Sequence, residues 1–174
     1  MMKTVMLLSG EPGCGKTSAI KMVLARTARS AGGFYTEEIC FGGVRSGFRI
    51  VTLDGQDAVL AETSAGGPKR VGKYGVHVDN VDALAVPAVR GAMRDCDIVV
   101  IDEIGKMEMF SETFREAVLE AVTSGKRVLG TVMMSPHPWA DDVKRRAEVE
   151  VVMMTRTNRD EVVGHVLEWL GDPD

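Results

Sequence analysis

The segment Gly10-Glu11-Pro12-Gly13-Cys14-Gly15-Lys16-Thr17 satisfies G-x-x-x-x-G-K-[ST] at every fixed position, and Ser18 follows it. Glycines let a backbone wrap an anion with its N–H groups turned inward. The N-terminus of a following helix adds partial positive charge. The lysine of such a loop reaches the outer phosphates of a triphosphate, and the next hydroxyl ligates Mg²⁺. Lys16 and Thr17 hold those two places, so Gly10 to Ser18 are expected to cradle a nucleoside triphosphate. Cys14 has two readings. It is a small residue that fits the loop, or a thiol whose pKa is lowered near a helix N-terminus and which oxidises readily. The first is the simpler.

Gripping a triphosphate does not decide its fate. That depends on a second run, "DIVVIDE", Asp97 to Glu103, about 85 residues beyond the loop. Four apolar residues end in two acids. Asp102 is expected to support Mg²⁺ through its water shell. Glu103, one residue on, can turn toward the γ-phosphate, orient a water and take its proton as a general base. Val99, Val100, Ile101 and Ile104 flank the acids and are counted in the expected nucleotide site. A guanine-specific switch would carry N-K-x-D. The nearest segment, Asn158-Arg159-Asp160, lacks the lysine and the spacing. That segment, within "TRTNRD", is instead expected to supply Asn158 and Arg159 as one wall of a base pocket.

Other chemically capable residues are more scattered. His77, His137 and His165 show no metal-ligand spacing. Ligands of open parallel sheets bind beyond the carboxyl ends of the strands, which makes Thr131, Ser135 and His137 candidates to sense the γ-phosphate. Arg145, Arg146, Arg156 and Arg159 are candidates to neutralise charge that develops on a transferred phosphoryl group. Glu37, Glu38 and Arg45 have a default reading as surface ion pairs and an alternative one as a frame over the phosphates. Trp139 and Trp169 are read as packing groups.

These side chains need a scaffold. "TVMLL" at Thr4–Leu8 is a buried strand leading into the loop. Ile20, Val23, Leu24 and Ala28 stripe the helix after it, with a stop expected near Ala31-Gly32-Gly33. "FYTEEIC" and "VRSGFRIVTL" flank Gly42-Gly43 as a hairpin, with further strands at 57–63 and at "YGVHV". Pro87 suits a first helical turn, so a helix is expected from Pro87 to about Asp95. "IVVI" at 98–101 is a central strand. A helix capped by Ser111 carries Phe114, Ala117, Val118, Ala121 and Val122 on one face. Strands at 126–134 and 149–154 precede a final helix striped by Val162, Val163, Val166, Leu167 and Leu170. Strands alternating with amphipathic helices predict a three-layer α/β fold. Its mostly parallel central sheet is flanked by helices, with a β-hairpin insertion after the first helix. Residues 1–174 are read as a single domain.

Composition narrows the function classes. The 174 residues carry a net charge of -4, so no nucleic-acid surface is expected. No window has the uncharged apolar length of a membrane span. Three scattered cysteines read as free thiols of a reducing cytoplasm. No heptad or large patch suggests an obligate assembly, so a monomer is expected.

Four segments together carry a family resemblance: "GEPGCGKTS", "GGFYTEEI" with "RSGFRIVTLDG", "VIDEIGKMEMFSETF", and "TNRD". They run in order from residue 10 to 160. The chain resembles the nucleoside-triphosphatase family first described from thermophilic microbes, whose animal relatives are called cancer-related nucleoside triphosphatases. The resemblance implies a P-loop fold and Mg²⁺-dependent hydrolysis of ATP, GTP, CTP and UTP to diphosphate and phosphate, with tolerance of the base. It implies phosphate and metal roles for Lys16 and Thr17, metal support for Asp102 and the base role for Glu103. Lys106 and Glu108 lie in the matched signature without a derivable role. Cys14 in the loop, and methionine where leucine is common in "KMEMF", are mild departures. Two rival readings remain: a nucleotide or small-molecule kinase, which needs an acceptor site, and a regulatory module that uses ATP as a switch.

Overall fold

A computed structural model describes residues 2–172. Nine strands form one sheet in the order β5-β6-β4-β3-β2-β7-β8-β1-β9. Its core is parallel: β1 (Val5–Ser9) lies between β8 (Arg127–Val132) and β9 (Val149–Met153). β8 pairs with β7 (Ile98–Ile104), and β7 pairs with β2 (Ala31–Phe41). Beyond β2 the sheet turns antiparallel through β3 (Val44–Thr52), β4 (Asp57–Glu62), β6 (Tyr74–Val76) and β5 (Arg70–Val71).

Alternation along each buried strand sorts side chains to two faces. Met6, Leu8, Ile98, Val100 and Leu129 pack under α1 (Lys16–Arg26) and α6 (Arg159–Leu170). Val5, Leu7, Val99, Ile101 and Val128 pack under α3 (Val86–Asp95), α4 (Glu112–Thr123) and α5 (Pro138–Lys144). Helices on both faces explain why these strands read as continuous apolar runs. The expected three-layer α/β architecture is present. Ser111 caps α4 as expected, its Oγ accepting the Phe114 N–H at 3.0 Å.

Several local expectations change. Helix α1 ends at Arg26, and Thr27 is already extended. Ala31-Gly32-Gly33 is not its stop but the start of β2, paired with Ile98–Val100. The glycines serve close approach. A Cβ on Gly33 (φ 114°) would lie 2.0 Å from the Val100 carbonyl oxygen, and one on Gly32 would lie 2.9 Å from the Ala92 Cβ. The hairpin insertion is therefore an outgrowth of a central strand, since β2 pairs parallel with β7 at one end and antiparallel with β3 along its length.

Helical structure also begins before Pro87. A short α2 (Val78–Asn80) and a π turn over Val81–Ala85 lead into α3. The π turn widens the helix just ahead of the proline ring, which would otherwise clash with the carbonyl four residues back. Strand β7 continues through Asp102, Glu103 and Ile104 rather than closing at Ile101. Between β8 and β9 the chain forms a further short helix, α5 (Pro138–Lys144). No helix among the described residues is long and apolar enough to cross a membrane.

Candidate active site

β1 ends at Ser9 and α1 starts at Lys16, so the glycine-rich segment is the turn between them. Gly13 (φ 78°) and Gly15 (φ 101°) adopt left-handed backbone, which side chains resist. A Cβ on Gly10 would lie 2.3 Å from the Met154 carbonyl oxygen, so the residue after β9 packs directly against the loop entry. The Lys16 ammonium reaches back across the loop and donates to the carbonyls of Gly10 (2.8 Å) and Glu11 (3.2 Å). Glu11, Pro12, Gly13 and Ser18 are exposed. Cys14 is buried in the cluster beneath α1 and α6, which supports its reading as a small packing residue.

Two hydroxyls converge on Asp102. Thr17 Oγ1 donates to Oδ2 at 2.6 Å, joining the loop to β7, and Thr131 Oγ1 donates to Oδ1 at 2.6 Å from β8. Asp102 is only 2% exposed. Burial pushes its carboxyl above the ordinary value, while the Thr131 and Thr17 hydrogen bonds and the Lys16 charge pull it back. Thr131, one of three candidates to sense phosphate, is in this structure a support for Asp102. Ser135 is exposed. His137 caps α5, its Nδ1 accepting the Ala140 N–H at 3.4 Å.

The peptide bond between Asp102 and Glu103 is cis. Glu103 is half-buried, and its proton affinity is raised first by burial and then by the Asp102 charge, against the pull of Lys16. A third acid sits beside it. Glu108 lies in a 3₁₀ turn over Glu108–Phe110, is 4% exposed, and accepts the Gly105 N–H at 3.0 Å on Oε2. A methyl on Gly105 would meet Glu103 Oε1 at 2.6 Å and Glu108 Oε2 at 3.0 Å, so both carboxyl groups close on this glycine. Burial, and then the Glu103 charge, hold Glu108 well above the usual carboxylate range. Sequence reasoning had no signal for this burial, because Glu108 stands in a mixed run with no strand or helix period.

Thr17 and Asp102 offer hard oxygen donors, the chemistry Mg²⁺ prefers. Among the described residues no three His, Cys, Asp or Glu side chains form a metal cage.

The remaining expected residues fall into three groups. Val99, Val100, Ile101 and Ile104 are fully buried in the core. Their expected place in the nucleotide site is corrected: on a strand covered on both faces their side chains hold Asp102 and Glu103 in position. Arg156 and Arg159 lie beside the loop. A Cβ on Gly13 would sit 4.0 Å from an Arg156 terminal nitrogen, and one on Gly15 would sit 3.7 Å from the Arg159 Cδ. Asn158 ties its own segment, accepting the Thr155 N–H at 2.7 Å and donating to the Met153 carbonyl at 3.1 Å. A last group is structural. Arg145 pairs with Asp142, Arg45 with Glu38 at 3.1 Å, and Lys21 with Glu37 at 3.4 Å. His165 meets Glu150 at 3.2 Å, and the buried Trp169 donates its indole N–H to the Lys3 carbonyl at 2.7 Å.

Comparison with known proteins identifies relatives of this chain. A family model described as NTPase matches residues 5–167. A nucleoside-triphosphatase THEP1 of Thermotoga sp. (strain RQ2) is 41% identical over 164 residues, covering 94% of each chain. The crystal structure of THEP1 from the hyperthermophile Aquifex aeolicus superposes with a TM-score of 0.88 at 34% identity, over 95% of this chain and 98% of that one. The solution structure of a human cancer-related nucleoside triphosphatase gives a TM-score of 0.79, also at 34% identity, over 97% and 96%.

Proposed function

The chain belongs to this NTPase family, and we propose that it is a Mg²⁺-dependent nucleoside-triphosphate phosphohydrolase with broad tolerance of the base. One observation carries the reading. The Thr17–Asp102 hydrogen bond at 2.6 Å joins the phosphate loop to β7 and puts Glu103 on the residue next to that junction. The names of the relatives, nucleoside-triphosphatases, support the same class of reaction.

In this reading the loop's inward N–H groups and the Lys16 ammonium take the triphosphate chain. Lys16 exchanges its bonds to Gly10 and Glu11 for bonds to phosphate oxygens. Thr17 would hold Mg²⁺, with Asp102, itself held by Thr131, supporting that place, and the ion when bound would neutralise charge on the outer phosphates. Glu103 orients the attacking water and takes its proton as the O–P bond forms and the diphosphate leaves. Asn158 and Arg159 stand on the segment proposed to wall the base. The protein is proposed to act in the cytoplasm as a monomer, without a nucleic-acid or membrane partner.

Phosphate release measured with ATP, GTP, CTP and UTP, with and without Mg²⁺, tests the reading. Multiple turnovers on all four, lost on chelation, are expected. Turnover appearing only with a second, phosphoryl-accepting substrate would replace it with a kinase.

A further inference from the structure

The proposed hydrolysis leaves Lys106 and Arg115 without a task. Both line a cavity of about 490 Å³, together with Arg70, Met109, Phe110 and His137. No residue of the phosphate loop lines it, and neither Asp102 nor Glu103 does. Its lining shares no residue with the loop or with those two acids, although Lys106 lies just beyond Glu103 in sequence.

The charge of this cavity is unbalanced. No carboxylate lines it. Several cations elsewhere are paired with carboxylates, among them Lys21 with Glu37, Arg45 with Glu38, Arg90 with Glu120, and Lys144 with Asp141. Among the described residues Lys106 and Arg115 have no such partner, and Arg115 is half-buried. Arg70 is fixed by two backbone carbonyls, those of Ala65 and Lys73, both at 2.8 Å. These bonds orient its guanidinium without neutralising it. His137, whose Nδ1 accepts the Ala140 N–H, lines the same cavity with its ring. The Lys69 ammonium lies 5.6 Å from the Phe110 ring centroid. In a chain of net charge -4, such a gathering makes a local positive concavity.

We propose that this cavity is a second anion site, which takes a phosphate-bearing small molecule independently of the nucleotide on the loop. Guanidinium forks match phosphate oxygens, and ammonium groups serve them as point charges. Met109 and Phe110 give an apolar wall for a part beyond the phosphate, and the volume suits a small-molecule ligand. The site is a pocket, not the extended basic track that a nucleic-acid strand requires.

Calorimetric titration of the full chain tests this. The protein is first saturated with Mg²⁺ and a non-hydrolysable triphosphate analogue, so the loop is filled. Inorganic phosphate, a sugar phosphate and a nucleoside monophosphate are then added in separate titrations. Binding of one equivalent of at least one of them is expected, weakening as salt rises. Strongest binding by inorganic phosphate assigns the site to the free anion; stronger binding by an ester assigns it to an organic phosphate. Lys106→Gln with Arg115→Gln is expected to weaken binding at least about tenfold, while the analogue's affinity stays within about twofold. Arg115→Lys, which keeps the charge, is expected to retain most of the binding. Failure of all three ligands to bind, or equal binding by the double variant, overturns the site. The analogue is not turned over, so either outcome is independent of whether the protein hydrolyses triphosphates.

Discussion

Thr131→Val removes one hydroxyl and almost no volume from a fully buried position. Thr131 Oγ1 donates to Asp102 Oδ1 at 2.6 Å, and Asp102 is 2% exposed. A hydrogen bond to a charged group contributes about 1.5–3 kcal/mol. For a domain of this size each kcal/mol shifts Tm by about 2–4 °C, so a drop of about 3–12 °C is expected. The loss must also depend on pH. The Thr131 bond favours ionised Asp102 and lowers its pKa, against burial, which raises it. The folded value is above the ordinary 3.8, so stability conferred by the protonated carboxyl is lost as pH rises through that folded value. Without Thr131 the ionised form is disfavoured further, and the variant falls below wild type by more at pH 8 than at pH 3, which lies below the ordinary 3.8. Thermal melts of both proteins at the two pH values measure this, with Thr131→Ser expected to restore most of the difference. A loss under about 0.5 kcal/mol, or an equal loss at both pH values, would refute the assignment of Thr131 as the support of an ionised Asp102.

Two other variants probe the same site. Lys16→Ala is expected to weaken triphosphate binding and nearly abolish phosphate release; wild-type rates would remove the loop from the chemistry. Glu108→Gln keeps an oxygen to accept the Gly105 N–H but cannot ionise. Because the folded Glu108 value lies well above 4.5, wild type loses stability as pH rises above 4.5, and the variant does not. The variant's Tm relative to wild type should therefore climb between pH 5 and pH 8, and a flat difference would contradict the burial argument.

The legible parts of the molecule were those whose physics is local. A glycine loop between an apolar strand and an amphipathic helix reads from spacing alone, and so do the paired acids after the apolar run of β7 and the Ser111 cap. Glycines were ambiguous. At Ala31-Gly32-Gly33 a helix stop and a close strand contact have the same spelling, and only the Val100 and Ala92 atoms opposite decide between them. The π turn before Pro87 and the short α5 after His137 depend on tertiary packing of Val81, Ala85, Ala140 and Val143 rather than on any period. Within the site, Asp102 and Glu103 stood out as paired acids. Thr131 was visible only as a strand-end hydroxyl, because its Asp102 partner lies on the neighbouring strand. Glu108 had no visible partner, because its neighbours Gly105 and Glu103 meet it through a 3₁₀ turn.

The central claim is that Glu103 activates water for a triphosphate held by the loop. Its most direct measurement compares Glu103→Gln with wild type in nucleotide binding and in single-turnover hydrolysis. Binding is expected within about twofold of wild type, with hydrolysis slower by roughly 10²–10⁴-fold, the range of general-base catalysis. Hydrolysis at the wild-type rate, or loss of binding with no separate effect on the chemical step, would contradict it.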